Sequence, residues 1–121
     1  MISPFTIGEV SSPNYPSDYP NNIRLTSIIQ VEEGLIVALQ FTAFDVEYHP
    51  SCIYDHLAIK DGNGATIVAI TCGSSLPAAI NSTSNMVKIY FETDESATKS
   101  GWNVKWSAVT PGDQEGKKEI S

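Results

Sequence analysis

The sequence predicts an all-β domain, a sandwich or barrel of antiparallel strands. Three observations predict it: four short runs alternate apolar and polar residues with a period of two, turn-forming residues separate them, and no stretch carries a helical period. Taken in order, the first element is irregular. Ser12-Pro13-Asn14-Tyr15-Pro16 and Tyr19-Pro20-Asn21-Asn22 fix φ at the prolines and remove backbone donors, so an ordered loop with packed tyrosines is expected. Leu35, Val37, Leu39 and Phe41 then alternate with Ile36, Ala38 and Gln40, and Leu57 and Ile59 alternate with His56, Ala58 and Lys60. Asp61-Gly62-Asn63-Gly64 supplies residues that tolerate positive φ and predicts a tight hairpin turn. It could pass for a fragment of a calcium loop, but the rest of such a loop is missing. Val87, Ile89 and Phe91 alternate with Lys88, Tyr90 and Glu92, and Trp102, Val104 and Trp106 with Asn103, Lys105 and Ser107. Each of the four runs therefore has one face for a shared core and one for water.

A chain of 121 residues can bury one sizeable core, not two. After Val109 the composition turns polar without apolar period, from Thr110 through Glu119, so residues 111–121 are read as a tail or linker, 8–110 as the domain and 1–7 as a lead-in. Seven Lys and Arg against fourteen Asp and Glu leave a formal charge of −7. Phosphate backbones and anionic membranes would be repelled, which excludes nucleic acid as the natural partner. No run approaches the roughly 18 apolar residues of a membrane span, so direct insertion is not expected. The opening MISPFTIGEV lacks a basic n-region and a long apolar stretch, so any export signal is expected to have been removed already.

Two cysteines, Cys52 and Cys72, either form a bridge or stay as reduced core thiols. A bridge would close a loop of about twenty residues, worth roughly 3 kcal/mol in the chain-entropy model. Asn81-Ser82-Thr83 is a glycosylation sequon among polar neighbours, expected in an exposed loop, and points to secretion.

The stretches that carry chemistry are Phe44-Asp45-Val46-Glu47, Cys52-Ile53-Tyr54-Asp55 and Phe91-Glu92-Thr93-Asp94-Glu95-Ser96, whose acids sit just past strand ends. Glu47, Asp55 and Asp94 with nearby backbone would offer a hard cation such as calcium the core of its six to eight oxygens. By spacing alone the signal is weak, because acidic loop residues are usually just solvated.

Ser-Pro-Asn-Tyr-Pro at 12–16, Tyr-Pro-Asn-Asn at 19–22, Phe44-Asp45-Val46-Glu47 followed by Cys52-Ile53-Tyr54-Asp55, His56 through Gly62, Cys72-Gly73, and the late Asp94 with Gly101-Trp102 together resemble a CUB domain, in order and from Gly8 to Ala108. The resemblance implies an antiparallel, jelly-roll-like β-sandwich, an extracellular, non-catalytic module of complement-activating proteases, tolloid-like proteinases and cubilin. It implies a disulfide between Cys52 and Cys72. In the calcium-binding branch it implies a site formed by Glu47, Asp55 and Asp94, with a backbone carbonyl around Glu95 and Ser96 and with Tyr15 bracing a carboxylate. Ala97 stands where some members offer a side-chain oxygen. It further implies that the site captures a Lys or Arg side chain of a partner protein.

The departures are Leu25 where a typical member has a cysteine, no earlier cysteine, and Ser27 for a usual tryptophan. The N-terminal strand is therefore expected to be held by packing alone.

Two rival classes remain. As an enzyme, the chain would need His49, Cys52, His56 and Cys72 as a zinc set. The resemblance assigns both cysteines to a bridge, and His56 falls at an outward strand position. Gly73-Ser74-Ser75 lacks a Gly-x-Ser-x-Gly elbow. As a calcium-independent adhesion or glycan-binding module of spermadhesin type, it would use Tyr19, Tyr48 and Tyr54.

Overall fold

The computed structural model describes residues 7–111; the outer parts of the lead-in and tail lie outside the described residues. Eight strands run in order: β1 Ile7–Ser11, β2 Arg24–Gln30, β3 Ile36–Asp45, β4 His56–Asp61, β5 Thr66–Thr71, β6 Ile80–Asn81, β7 Met86–Glu92 and β8 Gly101–Val109. They form two four-stranded sheets, β1-β8-β3-β6 and β2-β7-β4-β5, with every pairing antiparallel. No helix among the described residues is long and apolar enough to cross a membrane.

The four alternating runs are β3, β4, β7 and β8, and their inward residues make the core between the sheets: Val37, Leu39 and Phe41, Leu57 and Ile59, Val87, Ile89 and Phe91, Trp102 and Val104. Leu35 is the exception. It precedes β3 in a turn, its N–H bonded to the Glu32 carbonyl. Of the other four, β1 is the expected N-terminal strand, and β2, β5 and β6 carry no clear alternation in the sequence. β2 is an edge strand with a largely exposed face, where inward Ser27 and outward Ile28 invert the pattern. β5 is apolar at successive positions, and β6 is only two residues long.

Two local features aim the strand ends. A bulge between Phe41 and Ala43 shifts the alternation of β3 by one, so Phe44 and Val46 reach the core. Val46 then exchanges backbone hydrogen bonds with Gly73. Glu47 follows at the end of the sandwich. The hairpin turn forms as expected, with Asp61 N–H bonded to the Ala65 carbonyl, and Gly64 alone takes positive φ, at 95°.

The N-terminal strand is not held by packing alone. β1 pairs with β8 over five residues, and Ser12 continues the contact by donating its N–H to the Trp102 carbonyl at 2.9 Å and accepting the Trp102 N–H at 3.0 Å. Gly101, at φ 93°, leaves room for the Ser12 hydroxyl where a Cβ would stand. Asn81 lies on the edge strand β6, not in a loop, with its side chain exposed as expected.

Candidate metal centre

Cys52 and Cys72 are joined in a disulfide with Cα atoms 5.5 Å apart, which settles the thiol alternative and overturns the zinc set. The histidines stand elsewhere: His49 packs edge-on to Tyr54, and His56 is half-buried rather than exposed, its Nε2 3.6 Å from Glu92 Oε1. The disulfide ties the loop after β3 to the end of β5, beside the segment that carries Glu47 and Asp55.

Glu47 follows the Val46 bridge, Asp55 immediately precedes β4, and Asp94 lies two residues past β7. One carboxylate oxygen from each falls within 4.8 Å of the others. Asp55 is fully buried, and Glu47 and Asp94 are half-buried. The Asp55 carboxylate accepts the Asp94 N–H on Oδ1 at 2.9 Å and the Tyr19 hydroxyl on Oδ2 at 2.7 Å. The same hydroxyl accepts the Glu47 N–H at 3.0 Å. One phenol therefore registers two of the three acids against each other.

The resemblance implies this role for Tyr15; in the structure the hydroxyl bonded to Asp55 and Glu47 is that of Tyr19, which is 1% exposed, while Tyr15 is half-buried and bonds its N–H to the Ser12 carbonyl. Tyr19 packs edge-on against Phe91, which packs in turn against Trp102, so its hydroxyl is aimed from the core. It is also lost as an exposed aromatic for an adhesion surface. Tyr48 and Tyr54 remain exposed, at 67% and 43%.

The Pro-rich segment clamps the third acid. Asn22 donates its N–H to the Asp94 carbonyl, Thr93 donates its N–H to the Ile23 carbonyl, and the Thr93 hydroxyl accepts the Ile23 N–H at 3.0 Å and donates to the Pro20 carbonyl at 2.9 Å. Tyr19 N–H bonds to the Lys99 carbonyl. Thr93 is a positioning residue that the sequence did not single out. Ser96 N–H points to Asp94 Oδ1 at 3.3 Å, and Glu95 is exposed and outside the cluster of three carboxylates. Ala97 takes φ 68°, a left-handed conformation that suits asparagine better than alanine.

Negative charge is poorly accommodated among these carboxylates. Burial raises the Glu47 pKa, and the nearby Asp55 and Asp94 raise it further, with Lys99 and His49 opposing. Burial raises that of Asp55 too, against the Tyr19 and Asp94 N–H bonds that favour its ionised form. Burial and the bond to Asp55 push the Tyr19 phenol above its ordinary range. Glu47 Oε1 is buried with no hydrogen-bond partner, an acceptor with nothing to accept from. Three acids converging on one point, one fully buried and one with an unused oxygen, fit a metal ion, and the all-oxygen donor set selects a hard divalent cation over zinc.

Residues 5–106 match the CUB domain family. Pig (Sus scrofa) cubilin is 36% identical over 107 residues, which cover 87% of this chain and 3% of cubilin. Bone morphogenetic protein 1 of Xenopus laevis is 39% identical over 101 residues, covering 82% of the chain and 14% of that protein. The chain thus spans only a small part of these curated relatives. Among solved structures, the MASP-1 CUB2 domain bound to Ca2+ superposes with a TM-score of 0.73 at 34% identity, covering 84% of this chain and 91% of that one.

Proposed function

Because the chain belongs to the CUB domain family, a non-catalytic module, we propose that it is an extracellular calcium-dependent binding domain whose acidic end captures a Lys or Arg side chain of a partner protein. The observation that carries this reading is the convergence of Glu47, Asp55 and Asp94 within 4.8 Å, with Asp55 buried and Glu47 Oε1 unpartnered. Those three carboxylates would hold the ion, helped by backbone at Glu95 and Ser96. Calcium, once bound, supplies the positive charge that lets three acids stay ionised side by side. Three carboxylates against a dication leave a net negative charge, and the half-exposed Glu47 and Asp94 direct it outward, where an ammonium or guanidinium fits. Tyr19 holds Asp55 and the Glu47 backbone in register, the kind of support that tunes affinity through the ligands it orients. A single captured cation is a small, salt-sensitive contact, so tight attachment would need several modules acting together. The disulfide and the extracellular character of the relatives support an extracellular setting. Residues 8–110 would be the working unit, with 111–121 a polar tail or linker.

Calorimetric titration with calcium, then with a lysine-containing peptide and its acetylated counterpart, tests the reading. Heat is expected with Kd about 10⁻⁴–10⁻³ M, the range of extracellular modules. Asp94→Ala should remove it, and only the unacetylated peptide should bind, and only with calcium present. Absent calcium heat with an unmoved melting temperature would instead favour the calcium-independent adhesion reading, for which exposed Tyr48 and Tyr54 are the remaining support.

A further inference from the structure

The outer face of the first sheet carries a groove of about 550 Å³, far from the acids in role and lining. Cross-strand register explains its shape. Ile7 pairs with Ser107, Ser107 with Ala38, and Ala38 with Asn81, one straight row across all four strands. Paired residues share a face, and these alternate with the core residues Val37, Leu39 and Ala108, so the row points outward. Small Ala38 and Ser107 make the floor between the taller Ile7 and Asn81. Glu9, Lys105 and Gln40 form the next row and put polar groups along one wall. The row spans three inter-strand steps, about 14 Å, which suits a short chain of sugars better than a single small molecule.

We infer that Asn81 carries an N-linked glycan whose first sugars lie in this groove. Asn81, the sequon asparagine, is itself one of the residues lining the cavity, and this points to the occupant. A floor of methyl and methylene groups beside hydroxyl, amide and charged groups matches a pyranose, apolar on its C–H faces and polar at its edge. In the transfer the Asn81 amide nitrogen bonds to C1 of the first N-acetylglucosamine, the C1–O bond of a lipid-pyrophosphate-linked oligosaccharide breaks, the pyrophosphate leaves with that oxygen, and the amide gives up one proton. The rest of the sequon is closed in the folded domain: Ser82 is buried, its hydroxyl accepting the Val37 N–H at 2.8 Å, and the Thr83 hydroxyl donates to Asp61 Oδ2 at 2.7 Å. Transfer therefore precedes the seating of β6 against β3. The seated glycan also covers the open edge at β6, a strand end that would otherwise offer unpaired backbone groups to another chain.

The test is independent of calcium. The full chain is secreted from animal cells and weighed intact, beside Asn81→Gln; Thr83→Ala is avoided because it also removes a bond to Asp61. An N-acetylhexosamine-rich mass is expected at Asn81 and should be lost in the variant. Trimming the glycan enzymatically to one sugar should then shift the methyl resonances of Ala38 and Ile7 while leaving Val87 and Ile89 in the opposite sheet unmoved. An unmodified Asn81 overturns the inference, as does an occupied Asn81 whose trimming leaves Ala38 and Ile7 indifferent.

Discussion

A single hydroxyl decides the arrangement of the acids. Tyr19 donates to Asp55 and accepts from the Glu47 backbone, so Tyr19→Phe keeps the ring packing on Phe91 but leaves a buried carboxylate oxygen and a backbone N–H without partners. A loss of about 1–3 kcal/mol in urea unfolding is expected, together with calcium affinity weakened roughly 10–100-fold, the usual effect of removing a ligand's support. Tyr15→Phe should leave both quantities unchanged. Calorimetry on the two variants checks this, and equal effects would return the bracing role to Tyr15. The sequence contains both tyrosines in near-identical Tyr-Pro contexts. Which one reaches the acids depends on where β1 ends and the loop turns inward, a matter of packing that no local pattern records.

At the scale of elements, β4 joins two different carboxylate sites. Asp55 opens it at the acidic end, and Asp61 closes it about 20 Å away. Asp61 is buried and anchors the segment between β6 and β7. It accepts the Gly62 N–H at 2.8 Å, the Thr83 N–H and hydroxyl at 2.7 Å each, and a short bond from the Ser84 hydroxyl. Burial alone would favour its neutral form, but these donors outweigh it and hold the carboxyl below its ordinary pKa. Asp61→Ala should therefore cost about 3 kcal/mol in urea unfolding while leaving calcium affinity unaltered, because the metal ligands lie at the other end of the strand. The turn signal at Asp61-Gly62-Asn63-Gly64 was legible, since turn chemistry is local. The anchoring role was not, because three of its four donors come from more than twenty residues away.

For the whole molecule, protons and calcium compete for the same end of the sandwich. The native, metal-free pKa values of Glu47 and Asp55 are raised, so the folded state binds their protons more tightly than the unfolded chain does. Stability of the metal-free domain then falls as pH rises from about 4, the ordinary carboxylate range, through these raised values. Asp61 acts oppositely: its lowered pKa gives stability present above the unfolded value and lost as pH falls through the native one. Melting curves between pH 4 and 7.5 with chelator should show this decline toward neutrality, Glu47→Gln should flatten it, and calcium should raise the melting temperature most at the neutral end. An upward chelated profile that Glu47→Gln leaves unchanged would show that these acids are not charged against one another in the native state.

The sequence by itself determined the β class, the four central strands, the hairpin turn and the three acids, and its resemblance to CUB domains supplied the pairing of the cysteines. Each of these is written in a local period, a turn or a spaced motif. Only the tertiary structure decided that Tyr19 braces the acids, that β1 is tied to β8 by a backbone ladder, that His56 is half-buried, and that Asn81 faces a groove from an edge strand. Edge strands have one exposed face and weak alternation, and a site built from three loops depends on which chain segments meet. Hydrophobic period says which face of a strand is buried, and contact between distant segments says what that buried face holds in place.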